Sequence, residues 1–248
     1  MKDYQAPPQH LAGRVILVTG AGQGIGFAAA LAFAVQGASI ILAGRQVAKL
    51  EAVYDEIAAK GLPEAVIFPI DLDSATEQDY ANMAQGIHQQ LGRLDGILHN
   101  AAHYDNLSPL EIQTVAQFEQ MLRVNLTAPF ALTKACLPLL QRAADASVIY
   151  TSTSAALTPT AYWGAHAISK HAATHMMQIW AQELEKTAPH LRLNTVIPGA
   201  IQSPQRKKSH PGEVHEHLPM AESLMPVYQY LMGGDSKGVS GSTLVINQ

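Results

Sequence analysis

Cysteine is almost absent: Cys136 is the single one in 248 residues. No disulfide can close within the chain, so a reducing, cytoplasmic setting is expected, with the thiol filling core inside a helix. Charge is scarce too, at 15% of residues against about 25% in ordinary globular chains. Hydrophobic residues make up 48%, so much of the chain must sit in elements covered on both faces, as a parallel sheet between helices is. Positive charge is not in excess: 16 basic against 20 acidic residues leave a net charge of -4. The broad positive field that nucleic acid or an anionic membrane surface calls for is therefore missing, and neither partner is expected. No apolar run approaches the length that spans a bilayer, and the start MKDYQAPPQHLAG lacks the charged-then-apolar order of a signal peptide. There is no repeat, no heptad pattern and no linker, so residues 1–248 are expected to form one domain.

What is present is an alternation of short β-rich runs with longer helical stretches. RVILVTG, SIILAGR, AVIFPID, LDGILHN, SVIYTST, LRLNTVIPG and STLVINQ are continuously apolar rather than alternating, as strands buried on both faces should be. Helices are predicted over 27–36, 47–60 and 78–91, each followed by a glycine suited to a C-terminal cap (Gly37, Gly61, Gly92), and longer ones over about 114–142 and 166–186. This β-α order predicts an α/β fold, a Rossmann-type, doubly wound, seven-stranded parallel sheet flanked by helices on both faces, with ligands at the carboxyl ends of the strands. One segment reads as irregular, QSPQRKKSHPGEVHEHLP at 202–219; following a strand, it is expected to hang over the crevice as a mobile lid. Its His210, His215 and His217 carry the donors of a metal site, but without a cysteine or a rigid element to fix them no metal is assigned.

The first strand runs into VILVTGAGQGIGFAAA, with glycines at 20, 22, 24 and 26 where strand must become helix. Glycines there let backbone approach a pyrophosphate, which then rests on the positive helix N-terminus. A glycine cluster can also be only a tight turn; its place after the first strand favours phosphate.

The spacing is T-G-x-x-x-G-x-G, and TGAGQGIG resembles the cofactor-binding signature of the classical short-chain dehydrogenase/reductase family. Further pieces follow in that family's order across 13–246: Asp71 and Leu72 closing the third strand, HNAA at 99–102 against the family's N-N-A-G, Asn125 in VNL, and Pro198-Gly199 after strand six. Within the family, LDGILHNA, WGAHAISK and YLMGGDSKGVSG are similar to bacterial YciK-type oxidoreductases. The resemblance implies cofactor contacts at Gly20, Gln23, Gly24, Ile25, Gly26, Arg45, Asp71, Leu72, Asn100, Ala101, Lys170, Pro198, Gly199 and Ser203. It also implies hydride transfer between nicotinamide and an alcohol or carbonyl substrate, and pairing of the long helices in a homo-oligomer.

The second strand ends LAGR, with Gly44 where NAD-preferring relatives carry an acid and Arg45 immediately after it. Arg can fork onto the 2′-phosphate of NADP, so NADP(H) is favoured over NAD(H). The competing reading is a surface Arg that caps the next helix. The family's other basic position, inside the glycine loop, holds Gln23.

The family's catalytic signature is Tyr-x-x-x-Lys, and HAISK aligns with it: Lys170 matches and His166 stands in place of the tyrosine. The serine that lies 13 residues upstream becomes Thr153, which keeps a hydroxyl for a substrate oxygen, while strand alternation turns Ser152 and Ser154 away. The resemblance assigns Asn125 to the proton relay. An imidazole's unperturbed pKa near 6.5 suits acid/base work at neutrality, yet Lys170 beside it disfavours the imidazolium and leaves a base for alcohol oxidation. Tyr162, eight residues before Lys170, is the alternative proton donor. Two readings stand at this point: an oxidoreductase using His166, or an NADP-binding sensor or interaction protein in which the acid/base has been lost. The sequence does not identify the substrate.

Overall fold

The computed structural model describes residues 3–246, so Met1 and Lys2 of the N-terminal stretch and Asn247 and Gln248 of the last strand run lie outside the described residues. Seven parallel strands form one sheet: β1 (Val15–Thr19), β2 (Ser39–Gly44), β3 (Val66–Pro69), β4 (Gly96–His99), β5 (Ala146–Thr151), β6 (Leu191–Ile197) and β7 (Thr243–Val245). Their order is β3-β2-β1-β4-β5-β6-β7. The winding thus reverses between β1 and β4, and a crevice opens at their carboxyl ends.

Strand alternation divides the core in two. From β1, Ile16 and Val18 face one layer and Val15 and Leu17 the other; Ile40 and Leu42 of β2 part from Ile41 and Ala43 in the same way. Helices α1 (Gly24–Val35) and α2 (Val47–Ala59) cover the first layer, together with α8 (Met225–Met232). The second layer is covered by α3 (Glu77–Leu91), α5 (Ala128–Arg142) and α6 (Gly164–Leu184), with Cys136 buried inside it. Both faces of every central strand are apolar because both meet helices, which is why the runs were continuous.

Three expectations change in detail. The helix predicted over 114–142 is α4 (Val115–Leu122), a π turn (Arg123–Thr127) and then α5. That turn's i→i+5 bonding inserts an extra residue, a feature frequent at functional sites, and it lodges Asn125 in the interior at 0% exposure. The third strand stops at Pro69, whose ring nitrogen has no hydrogen to give a ladder, so Asp71 and Leu72 follow the strand instead of closing it. The segment 202–219 is not irregular: it holds α7 (Pro204–Ser209), capped by Ser203, and a 3-10 turn (His215–His217). Arg206 forks onto Glu213 at 2.6 and 2.8 Å, and Gln202 donates to Leu218 O at 2.8 Å. No helix among the described residues is long and apolar enough to cross a membrane.

Candidate active site

A single cleft of about 590 Å³ runs from the glycine loop to α7, within the ~300–1,000 Å³ of ligand-sized pockets. At one end the backbone is built for close approach. Gly20 has a φ of 67°, and its N–H donates to Ala43 O at 2.8 Å. Gly26, in the first turn of α1, lies so near that a Cβ there would fall onto Gly20 O. The turn from β1 into α1 is therefore closed to any other side chain at these two positions. Thr19, absent from the expected residues, ties β1 to β4: its Oγ1 accepts from Asn100 N at 3.1 Å and Ala101 N at 3.2 Å. Its signal was its place directly before the first glycine. Glycines on a bare helix N-terminus, with no acidic residue in the first turn of α1, fit the pyrophosphate of a dinucleotide.

Gly20, Gln23, Gly24 and Ile25 line this end, Arg45, Asp71 and Leu72 its flank, and Asn100 and Ala101 its floor. Pro198, Gly199 and Ser203 form the opposite wall, where Thr153, His166 and Lys170 also meet. Only Gly26 and Asn125 of the expected residues lie off the surface, each directly behind it. Arg45 is no helix cap: that position is Gln46. Tyr162 is 60% exposed and outside the cleft, on the rim of a small separate hollow. Ser152 and Ser154 also line the cleft, contrary to the expectation from alternation, because β5 ends at Thr151; Ser152 is nonetheless buried, with its Oγ accepting from Thr174 Oγ1 at 3.0 Å. Ser154 opens a 3-10 turn, so alternation has ended by then. His215 Nε2 sits on Ser203 N at 3.0 Å and His210 Nδ1 on Ser209 Oγ at 2.8 Å; these histidines do not converge.

His166 stands in the first turn of α6, with Lys170 one turn on along the same face. Asn125 organises the approach to it. Its Oδ1 accepts from His103 N at 2.8 Å, and its Nδ2 donates to His103 O at 3.1 Å and Ser169 Oγ at 3.1 Å. The second lone pair of His103 O faces His166 Nδ1 at 3.3 Å. A carbonyl only accepts, so Nδ1 carries the ring proton and Nε2 keeps its lone pair. Nε2 is buried without a protein partner. Tyr104 and Trp163 wedge the ring, at 5.2 and 5.7 Å between centroids, and Trp163 reaches His210 at 6.0 Å.

Burial, reinforced by Lys170, pushes the His166 pKa down to about 3. The direction is the one expected of a ring beside Lys170, but burial outweighs the neighbouring ammonium as its cause. Burial likewise takes Lys170 down to about 7, while its Nζ donates to Thr151 O at 2.7 Å and rests 4.6 Å above the Tyr150 ring. Tyr150 OH in turn donates to Asn125 O at 2.7 Å, so the main-chain carbonyl at the π turn is already engaged from within the protein. Of the pair, Lys170 is the group that burial brings into the neutral range.

A stability signature follows. Between about pH 7 and its ordinary 10.5, Lys170 is deprotonated in the fold and protonated in the unfolded chain. The unfolded state binds the extra proton there, so stability rises with pH. Below pH 9, before tyrosines ionise in the unfolded chain, the urea midpoint of the native protein should climb from pH 7, and that of Lys170→Met should not. Parallel curves for the two proteins would exclude a neutral buried amine.

Comparison with known proteins agrees with this architecture. The family model described as short chain dehydrogenase matches residues 14–213. The uncharacterized oxidoreductase YciK of Escherichia coli K12 is 38% identical over 240 residues, covering 97% of this chain and 94% of that one. A candidate short chain dehydrogenase structure from Pseudomonas syringae is 45% identical with a TM-score of 0.95 over 98% of both chains. Another, from Escherichia coli CFT073 in complex with NADPH, is 38% identical with a TM-score of 0.92, over 96% of this chain and 99% of that one. A family model that matches most of the chain and a relative of 38% identity over nearly its whole length agree with the sheet order seen here, and the chain belongs to the short chain dehydrogenase family of oxidoreductases.

Proposed function

We propose that this chain is an NADP(H)-dependent oxidoreductase that interconverts an alcohol and its carbonyl compound. The observation that carries the reading is continuity: one cleft joins the dinucleotide-shaped glycine turn to Thr153, His166 and Lys170. The dinucleotide, when bound, takes or supplies the hydride. The α1 turn would hold its pyrophosphate, Arg45 the 2′-phosphate, Asp71 and Leu72 the adenine end, and Asn100, Pro198, Gly199, Ser203 and Lys170 the ribose and nicotinamide end. The NADPH complex of the Escherichia coli CFT073 relative supports this cofactor.

In the oxidising direction Thr153 Oγ1, which caps no helix, positions the substrate hydroxyl. His166 Nε2 accepts that hydroxyl's hydrogen bond and takes the proton as the carbinol hydrogen leaves as hydride. Lys170, a stronger base than so deeply buried an imidazole, is the free amine above about pH 7 and is then able to take the proton on. Asn125 is a positioning residue: it holds His103 O, which in turn holds the tautomer of His166. The substrate is neutral in this reading, because Arg206, the cation of the α7 wall, is already paired with Glu213. The braced segment 202–219 acts as the lid over that end. Exposed Phe130 on α5 and Ile168 and Ile179 on α6 support pairing of these helices between copies of the chain.

The direct test is reduction of NADP by the purified protein across a panel of neutral primary and secondary alcohols, against the reverse assay with the matching carbonyls. Turnover faster with the alcohols is expected, and no turnover in either direction would remove the enzymatic reading. For the cofactor, Arg45→Asp should weaken NADPH binding at least tenfold and leave NADH within about twofold, since a charged hydrogen bond is replaced by like-charge repulsion. Fluorescence titration reads both, and equal losses would refute the NADP assignment.

A further inference from the structure

Arg45 has company at its end of the cleft. Lys49, in the first turn of α2, lines the same wall, and its Nζ donates to Gln23 Oε1 at 2.6 Å across the glycine loop. The stem of the lysine lies over Gly22, where an added Cβ would come within 2.8 Å of Lys49 Cβ; the bare glycine is what admits it. Gln23 stands at the N-cap of α1 yet makes no side-chain cap bond there. Its amide is committed to Lys49 instead.

The pairing leaves charge over. Gln23 is neutral and engages one of three ammonium hydrogens, so Lys49 keeps its full charge and two free donors. Neither Lys49 nor Arg45 forms an ion pair among the described residues, whereas Asp73, on the facing flank, is neutralised by Arg123 at 3.0 Å. Asp71, also on that flank, has its Oδ1 turned to Asp73 N at 3.1 Å.

We propose that Lys49 is a second cation for the 2′-phosphate of NADP, presented to the glycine loop by Gln23. The loop position that would otherwise carry a base holds an amide, and the amide imports a base from α2. Arg45 can fork onto two phosphate oxygens while Lys49 supplies a compact point charge to the dianion. This rests on the NADP reading above, and it makes Lys49 a specificity-determining residue of the same site.

The experiment is calorimetric titration of the full chain with adenosine 2′,5′-bisphosphate and with AMP, which isolates the 2′-phosphate from the rest of the cofactor. Lys49→Met is expected to weaken the bisphosphate about five- to tenfold, leaving AMP within twofold as the control for an intact fold. Gln23→Leu should lose a smaller part of the same preference, because the charge remains but is no longer held in place. Raising salt should narrow the native preference more than that of Lys49→Met. A preference abolished by Arg45→Asp yet untouched by Lys49→Met overturns the role of Lys49 alone, as does equal weakening of both ligands. A native protein with no preference overturns the NADP reading and this proposal with it.

Discussion

Lys170→Met should lower NADP-linked alcohol oxidation by about 10²- to 10⁴-fold, the usual cost of losing a positioned proton-transfer group. The substitution preserves length and apolar stem, so Tyr150 keeps a packing partner, but it removes the donor to Thr151 O and the only group lining the cleft whose pKa is moved to about 7. Turnover alone would not separate chemistry from disturbed packing; the pH profile does. Native oxidation should rise with pH through an inflection near 7, as the amine form appears. Lys170→Arg retains a cation but never releases its proton in this range, so its residual activity should run flat from pH 6 to 9. An unshifted inflection in the arginine variant would move the titration to some other group.

His166→Ala should cost about 10²- to 10³-fold in oxidation, and imidazole added to the medium should restore part of it through the space vacated between Tyr104 and Trp163. The native inflection near 7 should persist in the alanine variant, because burial holds this ring neutral down to about pH 3 and the titrating group is Lys170. His166→Tyr is the complementary variant. A phenol extends roughly 2 Å farther than an imidazole from standard bond lengths, and beside Lys170 it recreates the pair found in most of the family, so it should remain active with an inflection moved to higher pH. If alanine keeps activity within threefold of native, Nε2 does not take the proton.

Much of this was legible in the residues. Continuous apolar runs indicated seven strands because both faces of the sheet meet helices, and the glycine spacing located the close turn from β1 into α1 because only glycine tolerates the approach of Gly26 to Gly20 O. The π turn was not legible: RVNLT suits an ordinary helix, and its irregularity comes from the buried bonds of Asn125. Nor was order in 202–219, where composition reads as loop while Arg206–Glu213 and His215–Ser203 join residues that no local pattern links. At the site, identities aligned but environments did not. A motif places His166 beside Lys170 and says nothing of the burial that separates their pKa values from reference, and Lys49 looks like any solvent-facing helical lysine until Gln23 is seen beneath it.

The π turn has a consequence at the level of the gene. A regular helix advances about 100° per residue, so deleting one residue within Arg123–Thr127 would remove the π turn, join α4 to α5 as one helix kinked at Pro129, and swing every side chain on one side of the cut by that angle. Asn125 would leave His103, and the carbonyl that keeps the proton on His166 Nδ1 would lose its anchor. Such a deletion leaves the hydrophobic composition of the helix nearly intact. A single codon, rather than a change of any catalytic side chain, therefore stands between this fold with a held imidazole and the same fold with a loose one.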